Sequence, residues 1–421
     1  MTNSQHAGMR RSWRKNVAGL FGSSLIGVLS SIALPALAAT DSERINEMQR
    51  QIDGLRNEIH QVTEMAHRSG HGAGLPLHGF MDIGFSLNTQ GDPVANPPGF
   101  YLGSLSLYLS PDFGDNVKSL VEPHFEATSQ GATSTDIERL QIGYTFSDAA
   151  TVWGGRFHTP YGYWNTAFHH GAQMQASVFR PRFLDFEDEG GVLPAHTVGL
   201  WGTGKFRTDS GRFTYDVFIG NGHTITGAAN LGNPASQTLG ILDPNNSGDR
   251  DHSAIAGLNA GYEFSGNMSG LRLAIHGLSG NIDTETPTKF YETGLNVTGG
   301  SAVYVTNDWE VMSEYYRFAD KDKTDATGTH NSWAGYMQVG VIYNDLTPYV
   351  RLEKAMLNQK DIYFSSQENG QSYSRQALGL RYNLNPNTAM KLELLNSRFL
   401  PDAARTALAY RSLHVQYSIG F

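Results

Sequence analysis

The chain has no cysteine among its 421 residues. Disulfide bonds, thiol catalysis and thiolate metal sites are therefore excluded, and stability must come from backbone hydrogen bonds and packing. Beyond residue 34 the sequence also lacks any apolar run of the length that a membrane-spanning helix needs. No short repeat of fixed period occurs, which argues against a β-helix.

Catalytic spacing motifs are missing too. The sequence has no His-Glu-x-x-His motif, and residues 103–106 (Gly-Ser-Leu-Ser) lack the second glycine of a nucleophile turn. His158, His169 and His170 precede several acids, and imidazole with carboxylate can bind a metal or act as acid and base, so an enzyme is kept as an alternative. The prediction is a protein that is not an enzyme, without catalytic residues, metal site or cofactor.

The net charge of the chain bears on whether it binds nucleic acid. The full chain carries a formal charge of −9, and residues 1–38 hold four basic and no acidic residues, so the chain without them carries −13. Such an acidic protein is not expected to bind nucleic acid.

Residues 1–38 have the pattern of a secretory signal peptide. A basic cluster at positions 10–15 precedes an apolar run over 17–34, and Ala36-Leu37-Ala38 supplies the small residues of a cleavage site. An uncleaved anchor is the alternative, but export is the prediction.

Residues 39–68 predict a short periplasmic coiled coil. Apolar residues recur here at alternating spacings of three and four, which fits three heptads. They are Ile45, Met48, Ile52, Leu55, Ile59, Val62 and Ala66. Branched Ile at successive a positions favours three strands. The alternative is an amphipathic helix packed on the protein's own barrel or plugging it, and residues 69–76 follow as a Gly-rich linker.

From residue 77 to residue 421 the pattern is one of strands and turns. The last nine residues place Leu413, Val415, Tyr417, Ile419 and Phe421 on one face and small or polar groups on the other. Outer-membrane β-barrel proteins typically end in this way, and the segment resembles theirs. The edge strand of a soluble sandwich is the alternative for this segment alone.

Alternating segments predict sixteen strands, with short turns toward the periplasm and longer loops on the other side. The predicted spans are 77–87, 100–110, 117–129, 136–146, 150–158, 196–206, 212–220, 252–264, 270–280, 289–306, 309–319, 333–343, 347–357, 373–384, 388–398 and 409–421. Several of these segments alternate cleanly, whereas the segment from Trp309 to Phe318 alternates poorly. The fold class is therefore all-β, a 16-stranded antiparallel transmembrane barrel with a short N-terminal coiled coil.

The connection at residues 159–195 differs from the others in length and composition. Its many aromatic residues are untypical of a solvent-exposed loop, so it is expected to fold against the rest of the protein. Its second half carries Arg180, Arg182 and a run of acids from Asp185 to Glu189.

Together these features resemble a Gram-negative outer-membrane porin of the trimeric 16-stranded type with an N-terminal coiled coil, related to the phosphate-selective porins. The resemblance implies a water-filled channel in the outer membrane for passive diffusion of ions and small hydrophilic solutes. It also implies a homotrimer held by the coiled coil and the barrel wall, and a third loop, here 159–195, that sets the constriction. A structural or adhesive barrel is the alternative, with an enzyme behind it.

By that resemblance, acids of the loop face basic groups of the wall across the channel, which produces a transverse field. The predicted constriction residues are Arg180, Arg182, Asp185, Glu187, Asp188 and Glu189. The predicted wall residues are Arg139, Arg156, Arg272, Arg351, Arg375 and Arg381. The arginines of the loop either pair with its carboxylates or line the pore, and the acids could instead form a solvated loop tip. The net charge of −13 without residues 1–38 and the acidic residues of this loop argue against strict phosphate selectivity.

Overall fold

The computed structural model describes residues 77–88, 98–111, 113–114, 116–127, 132–168, 172–233, 236–246, 248, 253–325 and 327–421. The predicted signal peptide (1–38), coiled coil (39–68) and linker (69–76) lie outside the described residues. These three assignments stay predictions.

The described residues form an antiparallel barrel. Its strands are β1 (Leu77–Asn88), β2 (Gly99–Leu109), β3 (Val117–Ala127), β4 (Thr133–Ser147), β5 (Ala150–His158), β6 (His196–Thr208), β7 (Gly211–Asn221), β8 (His223–Thr226), β9 (Ile241–Asp243), β10 (Ala254–Phe264), β11 (Leu271–Glu285), β12 (Phe290–Val305), β13 (Trp309–Asp322), β14 (Thr329–Val341), β15 (Leu346–Met356), β16 (Tyr373–Asn385), β17 (Thr388–Phe399) and β18 (Leu408–Gly420). Sixteen of them form the wall, each paired with its neighbour in sequence, and β7 pairs with β10. β1 pairs with β18 and closes the ring.

The predicted 16-stranded barrel is confirmed, and the predicted spans match the wall strands to within a few residues. The sequence interpretation missed β8 and β9, which lie in the connection after β7. β8 pairs in parallel with residues 282–284 of β11, where that long strand extends beyond its pairing with β10. Strands of three or four residues carry too little alternation to be recognised.

Side chains of opposite character alternate along the wall, with large apolar groups on its outer face and polar groups on its inner face. On β18, Ser412, His414, Gln416 and Ser418 are buried, whereas Tyr417 is exposed. Other outer positions carry large apolar side chains, among them Leu140, Ile142, Leu378, Leu392 and Leu394.

The poor alternation of β13 has a structural cause, because its inner face carries apolar as well as polar side chains. Met312, Tyr316 and Phe318 are completely buried on the same face as Glu314, which is also buried. This stretch of the wall faces a filled part of the interior rather than open solvent, so apolar side chains suit its inner face.

Two connections fill that part of the interior. The loop at 159–195 contains helix α1 (Trp164–Ala167), and the connection between β15 and β16 contains helix α2 (Ile362–Ser365). Short 3₁₀ turns lie at Ala172–Met174, Arg182–Leu184 and Gly266–Met268. The rings of Trp164, Phe183, Tyr363 and Phe364 belong to one buried cluster with inner residues of the wall. Among the described residues, no helix has the length and apolar character needed to cross a membrane.

Inner glycines make room for large aromatic rings on the neighbouring strand. Gly379 of β16 lies directly opposite Tyr349 of β15, and a Cβ on Gly379 would come 2.2 Å from the Tyr349 ring. We therefore expect Gly379→Ala to push the buried Tyr349 from its place and to lower the free energy of unfolding by about 1–3 kcal/mol. Urea unfolding in detergent micelles measures this loss.

Gly154 provides the matched control, because a Cβ there meets only Leu200 at an ordinary 3.5 Å. Gly154→Ala should change stability by less than about 0.5 kcal/mol. Equal losses of stability in the two variants would show that Tyr349 does not depend on the absence of a side chain at Gly379.

Candidate channel constriction

The loop at 159–195 begins and ends at one point of the wall and crosses the interior between. His158 at the end of β5 lies directly opposite His196 at the start of β6. From there the loop reaches β13, β15 and β17, which stand several strands away from β5 and β6 around the ring. The expectation that this loop folds against the protein is met by its hydrogen bonds.

Glutamates of the wall accept the loop's backbone N–H groups. Glu314 of β13 accepts from Tyr163 N at 2.9 Å and Trp164 N at 2.8 Å. Glu353 of β15 accepts from Arg182 N at 2.9 Å, and Glu393 of β17 accepts from Val178 N at 3.1 Å. These contacts satisfy backbone donors that would otherwise be buried without a partner.

Basic groups of the wall bind the loop's backbone carbonyls. Arg351 donates to Phe179 O at 2.9 Å. Arg381 donates to the carbonyls of Gln173 and Gln175 at 2.6 and 2.8 Å. Lys391 donates to the carbonyls of Ala172 and Ser177. Side chains of the wall therefore form hydrogen bonds with both the backbone N–H groups and the backbone carbonyls of the loop.

The six predicted wall arginines fall into three groups. Arg351 and Arg381 bind the loop, and the buried Arg375 donates to Ser397 and Tyr410. The others pair with acids of neighbouring wall positions: Arg139 with Glu122, Arg156 with Asp136 at 2.9 Å, and Arg272 with Glu263 at 3.9 Å. Sequence reasoning missed Lys391, Glu314, Glu353 and Glu393, although the alternation of β15 and β17 places three of these on the inner face.

Arg180 and Arg182 shape the loop from within. Arg180 donates to Leu184 O at 2.8 Å and to Asn165 Oδ1 at 3.1 Å. Arg182 donates to Asn369 Oδ1 at 2.5 Å. Both side chains are only 7% exposed, so their first role is to fix the fold of the loop, while Arg180 also borders the cavity described next.

A cavity of about 210 Å³ lies between the loop and strands β1–β3. Four carboxylates line it: Asp82 and Glu126 from the wall, and Asp185 and Glu189 from the loop. The wall side also contributes Tyr101, Ser104, His124 and Gln416, and the loop side Gln175, Phe179, Arg180 and Phe186. Asp82 is held in place by Ser104 Oγ at 3.2 Å and Gln416 Nε2 at 3.0 Å.

The four predicted loop acids do not form one cluster. Asp185 and Glu189 face this cavity, but Asp188 lines a second cavity of about 170 Å³ that also borders Glu187 and His196. Glu187 is buried and accepts from His196 N at 2.9 Å and from His196 Nδ1 at 2.7 Å. Sequence reasoning did not find Asp82 or Glu126, although both alternate with apolar neighbours and so belong to the inner face of their strands.

Burial and neighbouring charged groups shift the pKa values of these loop acids. Burial raises the pKa of Asp185 to about 7, against the opposing effect of Arg182, Arg375 and Arg180. Burial acts in the same direction on Glu187, but the contact with His196 outweighs it and holds the pKa of Glu187 well below its usual range. The pKa of Glu189, which lines the same cavity, is raised well above its usual range by burial and by the neighbouring Asp185. Asp185 and Glu189 therefore lose their protons as an interacting pair at higher pH than ordinary carboxyls, whereas Glu187 stays ionised.

No known family model matches the chain, and no curated protein has a similar sequence. Solved structures do share the fold. OmpT of Vibrio cholerae in its trimer form is 10% identical, with a TM-score of 0.52 over 83% of this chain and 99% of that one. The anion-selective porin of Comamonas acidovorans is 14% identical, with a TM-score of 0.50 over 83% and 99%. The outer membrane channel DcaP of Acinetobacter baumannii is 12% identical, with a TM-score of 0.51 over 83% and 98%. At these identities the comparison establishes the porin-type barrel fold.

Glu314 accepts four hydrogen bonds, because the hydroxyls of Tyr316 and Tyr336 on the wall also donate to it, at 2.7 and 2.8 Å. Glu314→Ala should leave these buried donors unsatisfied and loosen the start of α1. We expect amide hydrogen exchange at Tyr163 and Trp164 to become roughly ten- to a hundredfold faster.

Glu310→Ala is the matched control, because Glu310 lies on the same strand and accepts from Gln338 of the wall at 3.1 Å. It should leave exchange at Tyr163 and Trp164 unchanged. Unaltered protection in Glu314→Ala would mean that the loop is held elsewhere.

Proposed function

We propose that this protein is an outer-membrane porin through which ions and small hydrophilic solutes diffuse passively. The observation that carries the proposal is the loop at 159–195, which crosses a closed barrel and leaves a cavity lined by carboxylates on both sides. A polar passage narrowed by a fixed loop selects solutes by size and by the field of its lining charges.

Charge at the constriction favours cations. Asp82, Glu126, Asp185 and Glu189 face the cavity together with one guanidinium, that of Arg180, and the loop pair Asp185 and Glu189 adds its full negative charge once it is ionised. Most of the wall cations that sequence reasoning assigned to the pore are engaged with loop carbonyls or with carboxylates. The name of the Comamonas porin describes an anion-selective channel, and we propose the opposite preference for this chain.

The apolar outer face of the barrel suits a lipid bilayer, and export by the predicted signal peptide would deliver the chain to the outer membrane. A homotrimer follows from the predicted heptads at 39–68 and agrees with the trimer form of the Vibrio barrel.

A structural barrel is the second candidate, because one specific observation favours it. The rings of Trp164, Phe183, Tyr363 and Phe364 pack together in the interior beside the loop. If this packing closes the passage altogether, the purified protein will not conduct. An enzymatic function has no comparable support, and we expect no catalytic activity.

Ion selectivity tests the assignment of the constriction. The double variant Asp185→Asn/Glu189→Gln removes two carboxyl groups from the cavity, so at pH 8 or above, where the pair carries more negative charge, the cation-to-anion permeability ratio should fall at least about twofold. Reversal potentials in planar bilayers under a salt gradient measure this ratio.

Asp188→Asn is the matched control, since Asp188 belongs to the same loop but lines the second cavity. It should change the ratio less than either substitution at the constriction. A larger effect from Asp188→Asn would place the passage on the other side of the loop, and absence of any conductance in the wild type would favour the structural barrel.

Selectivity should also depend on pH. Because the pKa of Asp185 is raised to about 7 and that of Glu189 well above its usual range, this interacting pair carries more negative charge at pH 8 than at pH 6. The preference for cations should therefore increase as the pH rises through 7. Reversal potentials between pH 6 and 8 measure the increase, which Asp185→Asn should reduce.

Oligomeric state is a separate expectation. Light scattering in mild detergent should give a mass of three chains. A mass of one chain would refute the homotrimer.

A further inference from the structure

Two histidines and a glutamate meet where the constriction loop leaves the wall. His158 and His196 oppose each other across β5 and β6, with ring centroids 4.7 Å apart and planes at 87°. Glu138 of β4 joins them. All three side chains are buried, with 6%, 2% and 1% of their surface exposed.

A β-bulge directs Glu138 toward the histidines. Opposite Glu122 and Pro123, strand β4 pairs through Arg139 and Ile137, so Glu138 is an extra residue between them. Such bulges re-aim a side chain without ending the strand. Glu138 Oε2 consequently lies 2.7 Å from His196 Nε2.

The carboxylate of Glu187 orients His196. Glu187 Oε2 lies 2.7 Å from His196 Nδ1, while its other oxygen accepts from His196 N at 2.9 Å. If Nδ1–H donates to Glu187, the lone pair of a neutral imidazole is on Nε2, the atom that faces Glu138. Metal-binding histidines commonly have this carboxylate behind them, which fixes the tautomer and strengthens the ligand.

We propose that Glu138, His158 and His196 bind a divalent transition metal ion, with Glu187 as the positioning residue. One donor atom from each of the three lies within 4.8 Å of the others. Tetrahedral Zn²⁺ with bonds of about 2.0–2.2 Å needs ligand atoms roughly 3.4 Å apart. On binding, the 2.7 Å contact between Glu138 and His196 would therefore lengthen, and the wider separations of up to 4.8 Å would shorten. Two imidazoles and a carboxylate suit Zn²⁺ better than Mg²⁺ or Ca²⁺, which prefer oxygen ligands.

Charge and access are compatible with an ion. The carboxylates of Glu138 and Glu187 together balance a divalent cation. Arg156, 3.6 Å from Glu138, keeps a closer partner in Asp136 at 2.9 Å. The second cavity borders His196 and Glu187, so an ion can approach the site from that side.

The ion would join β4, β5 and β6 at the point where the loop at 159–195 begins and ends. It would thereby stiffen the root of the loop. Without the ion, a protonated His196 that donates one ring N–H to each glutamate can hold the same side chains together, so direct binding measurements must distinguish the two states.

Calorimetric titration of the metal-stripped, full-length protein in detergent with Zn²⁺ is the test. We expect one site per chain that His158→Gln weakens at least about a hundredfold and Glu138→Gln at least about tenfold. Glu187→Gln should weaken it about ten- to a hundredfold, as for an orienting partner. Co²⁺ in place of Zn²⁺ should give the strong visible absorption of a four-coordinate site, and His158→Gln should abolish it.

His330→Gln is the matched control, since His330 is a buried histidine of β14 bonded to Thr327 at 2.9 Å. It should bind Zn²⁺ as the wild type does. Binding that persists in both His158→Gln and Glu138→Gln, or that is lost instead in His169→Gln/His170→Gln, would overturn the proposal. Failure of the wild type to bind Zn²⁺ would do so as well. Heat-dependent migration on gels checks that each variant is folded, and these results do not depend on conductance.

Discussion

The fold of this protein depends on satisfying the backbone of a loop that passes through the inside of a barrel. A segment with little secondary structure has exposed N–H and C=O groups, and burying them without partners would cost several kcal/mol. Glu314, Glu353 and Glu393 supply the acceptors, while Arg351, Arg381 and Lys391 supply the donors. These charged side chains of the inner face hold the loop against β13 and β15–β17. The remaining cavity therefore lies on the other side of the loop, beside β1–β3.

This division of charges changes the electrostatic picture that sequence reasoning suggested. Opposed acids and arginines at one constriction were expected, but arginines such as Arg351 are bound to the loop, and Glu187 is bound to His196. Carboxylates from both the wall and the loop remain at the cavity, with Asp82 and Asp185 as examples. The proposed preference for cations rests on these carboxylates, although the barrel wall contains many basic residues.

Period-two alternation was sufficient to predict sixteen wall strands, because lipid and lumen impose it on every strand of such a barrel. The span of β13 was predicted although its alternation is poor, because Met312 and Tyr316 face a packed interior. The prediction missed β8 and β9, which are too short to show alternation. The aromatic content of residues 159–195 correctly indicated a packed loop. Which acids of that loop share a cavity depends on its turns, and the grouping of Glu138, His158 and His196 depends on strand pairing and a bulge; neither follows from spacing in the sequence.

The central claim is that Asp185 borders the path of permeating ions. Because the chain has no cysteine of its own, Asp185→Cys provides a single reactive thiol. The decisive measurement is the current through single channels of this variant while a bulky, positively charged thiol reagent is added. The account predicts that the current falls in discrete, irreversible steps as each chain is modified. Complete modification, verified by mass spectrometry, with no change in current would contradict it.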